Sequence, residues 1–431
     1  MNVLLKKAKI YQASSEFNLK QKDILVQNGV IVEIEDEIKV LSYPDSTIIE
    51  SPNLSVSAGW LDMSVALTDP GFEHKESLVS LQKTALAGGF TGIMTLPNSK
   101  PTVQSKESIK YLTGFSKSSP LDIYPSAAIT KDCEGKEFTE MIDLHHAGAI
   151  AFTDGKHPIW NTDIFLKTLQ YLSQFNGLLI DKPEDKYLAL FGLMHEGVVS
   201  TTLGMKGIPA LAEEMMILRD VELLQYAFSN EEIPTSPVLH FNTISSARSV
   251  EIIRKAKAKN LPVSCSVAAH QLVFTDDSVA GFDSNYKVRP PFRSENDRLA
   301  LVAGVKDRTI DVIVSDHCPQ DEESKNLEFD LADFGVIGLE TLFSSIVHFT
   351  DIPIETLIDC ICETPKKLLK LKESKIEIGE NANLSLFDSS LKTNFNSNKL
   401  ASKSKNSPFI NTTLKGKIIG VINKNELVLT K

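Results

Sequence analysis

The two ends of the chain share one pattern of apolar and polar positions. Residues 1–54 consist of short β-rich runs separated by turns, and Asn28-Gly29 joins two runs of alternating polarity in the manner of a hairpin. Residues 366–431 show the same pattern, interrupted by a polar stretch at 392–407 (KTNFNSNKLASKSKNS) that we predict to be a solvated loop. Neither end has enough apolar residues for a core of its own. We therefore expect the two ends to pair into one small composite β-sandwich domain.

The pattern between the ends is different. Eight short apolar runs are each followed by a cluster of polar, proline or glycine residues, and helical patterns separate most of them. The runs begin at Gly59, Gly92, Asp122, Gly148, Gly177, Pro237, Pro262 and Asp311. The clearest helical pattern spans Ile208 to Phe228, and its recurring apolar residues are Leu211, Met215, Leu218 and Val221.

Eight strand-helix units over about 300 residues predict a (β/α)₈ TIM-like barrel, in which active sites lie at the C-terminal ends of the strands. The predicted fold class is therefore α/β, with the barrel at 55–365 and the β domain formed by 1–54 and 366–431. A doubly wound sheet is the alternative architecture, but no G-x-G-x-x-G follows the first strand.

Composition narrows the class of protein. The 431 residues carry 45 Lys and Arg against 56 Asp and Glu, a net charge of -11, which disfavours a general binder of nucleic acid or of anionic membranes. No apolar stretch approaches the roughly 20 residues needed to span a bilayer, and the start of the sequence does not have the pattern of a signal peptide. Five cysteines without zinc-ribbon spacing fit a reducing compartment. We therefore expect a cytoplasmic protein.

Polar residues follow the predicted strands where a barrel enzyme carries its active site. The segments are Asp62 to Gly71, Leu96 to Ser99, Phe152 to Gly155, Asp181 to Asp185, His240 to Thr243 and Ser315 to Pro319. With MHEG (194–197), KVRPPFR (287–293) and FGVIGLET (334–341), they closely resemble the dihydroorotases, in the cyclic amidohydrolase group that includes allantoinase and dihydropyrimidinase. The resemblance runs from Leu54 through Asp388. It implies a metal-dependent barrel hydrolase that opens or closes the dihydroorotate ring in pyrimidine synthesis.

The metal site that the resemblance implies is incomplete in this sequence. In such an enzyme, zinc polarises the substrate carbonyl and lowers the pKa of bound water. None of the nine histidines falls on the family's four histidine-ligand positions, which here are Ser64, Ala66, Lys182 and Thr243. Two carboxylates remain as residual metal candidates, Asp154 and Asp316, and Asp316 stands where the family has its catalytic aspartate. Zinc sites generally use three or four protein ligands, so no metal or other cofactor is expected.

Several of the substrate-contacting residues that the resemblance implies are also replaced. The family's carboxylate-binding arginine is Thr68 here, which removes the strongest kind of carboxylate recognition, and a histidine is replaced by Gln320. The family has an asparagine where this chain has arginine at position 289. The remaining residues of this vestigial pocket are Asn98, Arg289, Phe334 and Gly335.

Two further expectations concern the strand ends. We expect Lys182 to fill the vacated metal site and to pair with Asp154 or Asp316, because a cation in place of zinc would neutralise carboxylates that otherwise repel each other. For the strand-end histidines, a structural role is favoured over metal or ligand binding. These are His240, His270 and His317.

Two functions fit these residues as members of the family. The first is a catalytically inactive dihydroorotase homologue of pyrimidine biosynthesis, a pseudoenzyme that serves as a scaffold and partner of aspartate carbamoyltransferase. We expect such a protein to be a homo-oligomer without nucleic-acid or membrane partners. The second is an active dihydroorotase or related cyclic amidohydrolase with an atypical zinc centre. Its ligands would be drawn from Asp154, Asp316, His157 and His317.

A third function belongs to another class of protein, a small-molecule sensor that keeps the pocket without the chemistry. Its polar anchors would be Asn98, Arg289 and the Phe334-Gly335 backbone. The inactive homologue is preferred because metal and substrate positions are lost together. Zinc content and turnover separate it from the active enzyme, and stabilisation by ureide ligands separates it from the sensor.

Overall fold

The computed structural model describes residues 1–40, 43–229 and 234–430. Its strands are β1 (Asn2–Tyr11), β2 (Gln21–Gln27), β3 (Val30–Glu35), β4 (Thr47–Ile49), β5 (Ser55–Ala58), β6 (Trp60–Val65), β7 (Phe90–Thr95), β8 (Asp122–Ala127), β9 (Ala151–Phe152), β10 (Leu179–Asp181), β11 (Met194–His195), β12 (Gly207–Ile208), β13 (Leu239–Phe241), β14 (Val263–Ala268), β15 (Val312–Val314), β16 (Leu384–Phe395), β17 (Thr412–Asn423) and β18 (Glu426–Leu429). Its α-helices are α1 (Leu78–Ala87), α2 (Lys106–Lys117), α3 (Met141–Ala147), α4 (Thr162–Ser173), α5 (Val198–Leu203), α6 (Leu211–Ala227), α7 (Ala247–Ala258), α8 (Glu295–Lys306), α9 (Glu322–Lys325), α10 (Leu342–Phe349), α11 (Ile354–Ile361) and α12 (Glu363–Leu368). Within the described ranges, no helix is both long and apolar enough to cross a membrane.

The two ends of the chain pair into one β domain, as predicted. Its sheet has the order β18-β17-β16-β5-β1-β2-β3, with β4 beside β1. The C-terminal strand β16 runs antiparallel to the N-terminal strand β5, with Leu384 opposite Ala58. Asn28 and Gly29 both have positive φ (50° and 80°), which is the backbone that a two-residue hairpin turn requires. Apolar side chains from both ends fill the core of this domain, so neither end forms it alone.

The middle of the chain forms the predicted parallel barrel. Its strands lie in the order β6-β7-β8-β9-β10-β13-β14-β15, and each of the eight apolar runs supplies one of them. The Ala66 backbone N–H donates to the His317 carbonyl oxygen (2.9 Å), and the Ser315 N–H donates to the Asp62 carboxylate (2.7 Å). These bonds join the last strand to the first. The C-terminal ends of the strands, called the barrel mouth below, therefore form one continuous rim.

The barrel strands read as continuous apolar runs because both of their faces are covered. Every residue of β6, β7 and β14 is buried, with helices outside and the filled barrel interior inside. The predicted helices are also present, and Ser246 begins α7 by accepting a hydrogen bond from the Ser249 N–H (3.0 Å).

The predicted helix at 208–228 is present as α6, but its apolar row does not face the barrel. Val221 is buried, whereas Leu211, Met215 and Leu218 are between 41% and 48% exposed. The side of α6 that packs against the protein interior instead carries Met216 and several charged side chains. The apolar periodicity therefore predicted the helix correctly. The apolar row that it marks faces solvent.

The prediction of a solvated loop at 392–407 is wrong. Its first residues continue β16, and much of the rest packs beside the barrel mouth. Its buried polar residues are Ser402, Ser404, Asn406 and Ser407. Ser402 Oγ donates to Glu76 Oε2 (2.6 Å), and Asn406 Nδ2 donates to the Cys318 carbonyl oxygen (3.0 Å). The stretch is polar because it satisfies buried carboxylate and carbonyl groups, as buried polar groups require.

Candidate functional site

A hydrogen-bonded network of neutral side chains lies at the barrel mouth, at the ends of β6, β13 and β14. Asn242 Nδ2 donates to Ser64 Oγ (3.1 Å), and Asn242 Oδ1 accepts a hydrogen bond from Ser266 Oγ (3.0 Å). Ser64 Oγ in turn donates to Oδ1 of Asp316, which follows β15 (3.4 Å). The buried Asn242 amide thus uses both of its ends to tie neighbouring strands together beside the carboxylate.

The four positions at which the resemblance places metal-binding histidines offer hydroxyl, methyl and ammonium groups. Ser64 belongs to the network, and Ala66 contributes the backbone N–H that closes the barrel. Thr243 Oγ1 donates to the carbonyl oxygen of the preceding residue (2.8 Å), so this hydroxyl is turned to the backbone. Lys182 Nζ donates to the carbonyl oxygen of Arg289 (3.1 Å). None of these four side chains is an imidazole or a carboxylate.

The backbone of Thr243 has an unusual conformation for its residue type. Its φ is 58°, a left-handed value that β-branched residues rarely adopt and that histidine tolerates better. Its N–H donates to Ser266 Oγ (3.1 Å), which helps to hold the conformation. The backbone at this position is therefore better suited to the histidine that the resemblance implies than to threonine.

Asp316 is the carboxylate of the mouth at the position where the resemblance places a catalytic aspartate. Burial raises its pKa to about 6, although the charges of Lys182 and Lys156 act in the opposite direction. Asp62, whose own pKa burial raises to about 6, adds to the upward shift. A carboxyl group with this pKa can exchange protons near neutral pH.

Two lysine ammonium groups act on Asp316. Burial lowers the pKa of Lys182, against the attraction of the nearby carboxylates. Lys156 Nζ lies 3.0 Å from Cys318 Sγ, and although burial opposes its charge, that sulfur and Asp316 raise its pKa. The direct ion pair predicted for Lys182 with Asp154 or Asp316 is wrong. Among the described residues no such pair is formed, because Nζ binds a backbone carbonyl instead.

Asp154, the second residual carboxylate, is committed to the loop that follows β8. Oδ1 accepts hydrogen bonds from the Ile129 and Thr130 N–H groups (3.0 and 2.9 Å), and Oδ2 accepts one from Thr130 Oγ1 (2.5 Å). Burial nevertheless raises its pKa to about 6. With its two oxygens already holding three donors, Asp154 is a structural element of the mouth.

Two residues of the vestigial pocket also bind protein groups. Asn98 accepts a hydrogen bond from the Lys156 N–H (2.8 Å) and donates to the Asp154 carbonyl oxygen (3.0 Å). Arg289 grips the carboxylate of Glu184 through Nε (2.9 Å to each oxygen) and Nη2 (2.6 Å). Glu184 is buried, so this bidentate pair neutralises a charge inside the fold. Neither side chain is left with a full set of free polar groups for a ligand.

The backbone of the same pocket is similarly occupied. The Gly335 N–H donates to the Lys287 carbonyl oxygen (2.9 Å), and the Phe334 carbonyl oxygen accepts a hydrogen bond from Gln320 Nε2 (2.7 Å). Gly335 has φ 139°, and a side chain there would lie 2.8 Å from the Cys318 carbonyl oxygen. Glycine at this position therefore reflects close packing as well as any ancestral binding role.

The three strand-end histidines are buried. Burial lowers the pKa of His240 and of His270 to about 3. His240 Nδ1 lies 2.9 Å from Ser264 Oγ. His317 Nδ1 accepts a backbone N–H (3.2 Å), and its Nε2 lies 3.4 Å from Glu76 Oε2. All of these contacts are made with protein groups inside the fold.

Sequence reasoning missed three residues of the mouth. Asn242 and Ser266 form the centre of the neutral network, and Lys156 brings a second ammonium group toward Asp316. Asn242 directly precedes a position at which the resemblance places a histidine, which was the available signal. Ser266 lies inside an apolar run, and nothing local marked it.

Zinc does not fit this set of donors. Among the residues that the structure describes, no three His, Cys, Asp or Glu side chains come together as a metal site. Asp154 is saturated by protein hydrogen bonds, and the ammonium groups of Lys182 and Lys156 act on Asp316. The same positive charges would repel a cation beside Asp316. The donor set therefore disagrees with the zinc centre that the resemblance implies.

The fold and its closed mouth define an amidohydrolase-type barrel with an attached β domain. Among solved structures, L-hydantoinase (dihydropyrimidinase) from Arthrobacter aurescens is similar to this chain, with a TM-score of 0.82 and 20% identity over 100% of this chain and 96% of that one. At sequence level, the family model described as Dihydro-orotase-like matches residues 55–233.

Relatives named dihydroorotase match almost the whole chain. The dihydroorotase of Citrifermentans bemidjiense is 35% identical over 433 residues, covering 99% of each chain. That of Carboxydothermus hydrogenoformans is 37% identical over 421 residues, covering 96% of this chain and 95% of the relative. The chain belongs to the dihydroorotase family.

Proposed function

We propose that this protein is a catalytically inactive dihydroorotase homologue, which acts in pyrimidine biosynthesis as a scaffold and partner of aspartate carbamoyltransferase. The observation that carries the proposal is the content of the former metal site. Ser64, Ala66, Lys182 and Thr243 stand where the family places imidazoles, and their polar groups are bound to other protein groups. Family membership supports the pathway, and the site argues against the reaction.

The chemistry explains why this loss matters. An amide is a poor electrophile and water at neutral pH is a poor nucleophile, and a bound metal normally corrects both. Asp316 could still move a proton, since its pKa is about 6. Without an activated water and a polarised carbonyl, that proton transfer has nothing to assist.

The scaffold role is supported by what the chain retains. The barrel is closed, its strands are buried, and the mouth contains the Ser64–Asn242–Ser266 network and the Arg289–Glu184 pair. A protein kept only for its fold requires these features and does not require ligands. The choice of aspartate carbamoyltransferase as partner rests on the family resemblance alone.

The test joins an activity assay to a binding assay. Purified protein, grown with added zinc, is expected to hydrolyse dihydroorotate no faster than a blank, and to co-elute with the aspartate carbamoyltransferase of the same cell. Substantial zinc-dependent turnover would contradict the inactive centre. Failure to co-elute at micromolar concentration would contradict the scaffold role.

An active dihydroorotase with an atypical centre is the second candidate. It is favoured by one observation, identity of 34–37% over nearly the full length of proteins that carry the name dihydroorotase. If it is correct, Asp316→Asn should abolish turnover. The inactive homologue predicts that this substitution changes no measurable rate.

A further inference from the structure

A cysteine and a lysine from distant parts of the chain meet at the barrel mouth. Cys318 lies in the loop after β15, and Lys156 lies in the loop after β9. Lys156 Nζ donates to Cys318 Sγ at 3.0 Å, although the two residues are 162 positions apart. An ammonium group has three N–H donors, and within the described ranges Nζ forms no hydrogen bond to any other group. The nitrogen and the sulfur therefore face each other directly.

Cys318 is also the cysteine that solvent can reach. It is partly exposed, whereas the other four cysteines are buried. Burial raises the pKa of each of those four thiols, which keeps them protonated and unreactive. Oxidants attack cysteines that are accessible and lie beside a positive charge. Cys318 meets both conditions. The buried thiols are those of Cys133, Cys265, Cys360 and Cys362.

The backbone on both sides of this contact is held by hydrogen bonds. The Lys156 N–H donates to Asn98 Oδ1 (2.8 Å). The Cys318 N–H donates to the Val336 carbonyl oxygen (2.8 Å), and the Cys318 carbonyl oxygen accepts a hydrogen bond from Asn406 Nδ2 (3.0 Å). The two loops therefore keep Sγ and Nζ close together. Their separation of 3.0 Å is too long for a direct S–N bond, but a single oxygen atom can span it.

We propose that dioxygen links Cys318 to Lys156 through a covalent S–O–N bridge. An S–O bond and an N–O bond form, and the O–O bond breaks. One oxygen atom stays in the bridge and the other leaves as water. Sulfur and nitrogen each lose two electrons, and dioxygen takes up all four. The thiol and the ammonium group together lose three hydrogens, of which two enter the water and one is released to solvent as a proton.

A second contact between a sulfur and a charged nitrogen provides an internal contrast. Arg308 Nη1 lies 2.8 Å from Cys360 Sγ, which is closer than the lysine contact. Cys360 is buried, however, and a guanidinium group stays protonated, so its nitrogen has no electron pair free to form a bond. Oxidation is therefore expected to link Cys318 to Lys156 and to leave Cys360 unchanged.

The bridge has two consequences for the mouth. It ties the loop after β9 to the loop after β15, and it removes a positive charge that acts on Asp316. The inference does not depend on the proposed function, because an active or an inactive barrel could be cross-linked in the same way. Its readout is a covalent mass change, which zinc content and turnover do not affect.

The test uses the full chain, reduced and then transferred to air-saturated buffer, with a second sample kept under nitrogen. In air, the intact mass is expected to rise by one oxygen and fall by two hydrogens, and trypsin should no longer cleave after Lys156. Mapping should give one cross-linked peptide that contains Lys156 and Cys318. Dithiothreitol should restore the original mass, because two dithiol molecules supply the four electrons that release the bridging oxygen as water.

Substitutions separate the bridge from general oxidation. Lys156→Arg keeps the positive charge beside the thiol and is expected to abolish the cross-link. The matched control Lys167→Arg, on the exposed side of α4, should cross-link as the unsubstituted chain does.

The unsubstituted chain alone can overturn the inference if a variant does not fold. An unchanged mass in air would overturn it, and so would a loss of two hydrogens without a gain of oxygen, which indicates a direct S–N bond. A folded Lys156→Arg variant that shows the same mass change would overturn it as well.

Discussion

The barrel mouth has two sides that hold its strand ends together in different ways. On the neutral side, Ser64, Asn242 and Ser266 connect strands through hydroxyl and amide groups. On the charged side, Lys182 is near Asp316, and Arg289 is clamped to Glu184. A metal ion both cross-links strands and supplies positive charge. Under the proposed function, the two structural tasks are divided between different residues of this chain, and the chemical task has no replacement.

Introducing histidines at the four implied ligand positions is expected to have the largest effect on the site. The fourfold variant Ser64→His, Ala66→His, Lys182→His, Thr243→His is expected to bind about one zinc per chain, since four imidazole ligands complete a zinc site. The left-handed backbone at position 243 favours the change, because histidine adopts it more readily than threonine. Metal content by mass spectrometry is the readout. Turnover should remain low because Thr68 still lacks the guanidinium group.

The control for that experiment keeps the ammonium group. A threefold variant that retains Lys182 should bind zinc much more weakly, because a cation remains at the site. If the threefold and fourfold variants bound zinc equally, the charged side would not be a substitute for the metal.

Removing the ion pair on the charged side should have the next largest effect, which is a loss of stability. Arg289→Ala leaves the buried carboxylate of Glu184 without its partner, and we expect the free energy of unfolding to fall by about 3 kcal/mol. Urea denaturation provides the measurement. Arg248→Ala is the matched control, because Arg248 is 63% exposed and lies 3.7 Å from Glu214. It should change stability by about 0.5 kcal/mol or less. Similar losses in the two variants would contradict the assignment.

Cutting the neutral side should have a smaller effect. Asn242→Ala removes the partner of two buried hydroxyl groups, and the expected loss is about 2 kcal/mol in the free energy of unfolding. The exposed Asn394, which hydrogen-bonds Thr413 on the surface, provides the control Asn394→Ala with an expected change within about 0.5 kcal/mol. Equal urea midpoints for these two variants would show that the network does not stabilise the mouth.

The buried carboxylates of the mouth should also make stability depend on pH. The folded protein raises the pKa values of Asp62, Asp154 and Asp316 to about 6, above their ordinary 3.8. Between these values the three groups hold more protons in the folded state than in the unfolded state, so their contribution to stability should fall as pH rises from 4 to 6. Asp316→Asn should reduce this slope in thermal midpoints, and the exposed-site control Asp45→Asn should not. An equal pH dependence in Asp316→Asn and the unsubstituted protein would contradict the assigned burial of Asp316.

The sequence could predict the fold because the signals for it were local. A strand such as β14 is buried on both faces, so its apolar run stands out without knowledge of any partner. The composite β domain was predictable for a similar reason, since each end showed hairpin patterns and too few apolar residues. The direction in which α6 faces was not predictable, because periodicity shows that an apolar face exists and does not show what covers it.

The sequence could show which residue types occupy the site positions, but it could not show which partners those residues bind. The losses at Ser64 and Lys182 could be read from the sequence. The engagement of Arg289 with Glu184 could not, since the two residues are 105 positions apart. The same holds for the hydrogen bond between Ser402 and Glu76, which are 326 positions apart. Because of this bond, the polar stretch at 392–407 packs beside the barrel mouth. Hydrogen bonds between distant segments determine which pocket residues have polar groups available for a ligand. Such bonds cannot be read from the composition of the chain.

The central claim is that this dihydroorotase-family barrel has lost its metal centre. Its most direct test is the zinc content of protein purified from zinc-supplemented cells without chelators, measured by plasma mass spectrometry against protein concentration from amino-acid analysis. The account predicts well under one zinc per chain, unchanged by Asp316→Asn. One or more zinc ions per chain, lost on Asp316→Asn, would contradict it.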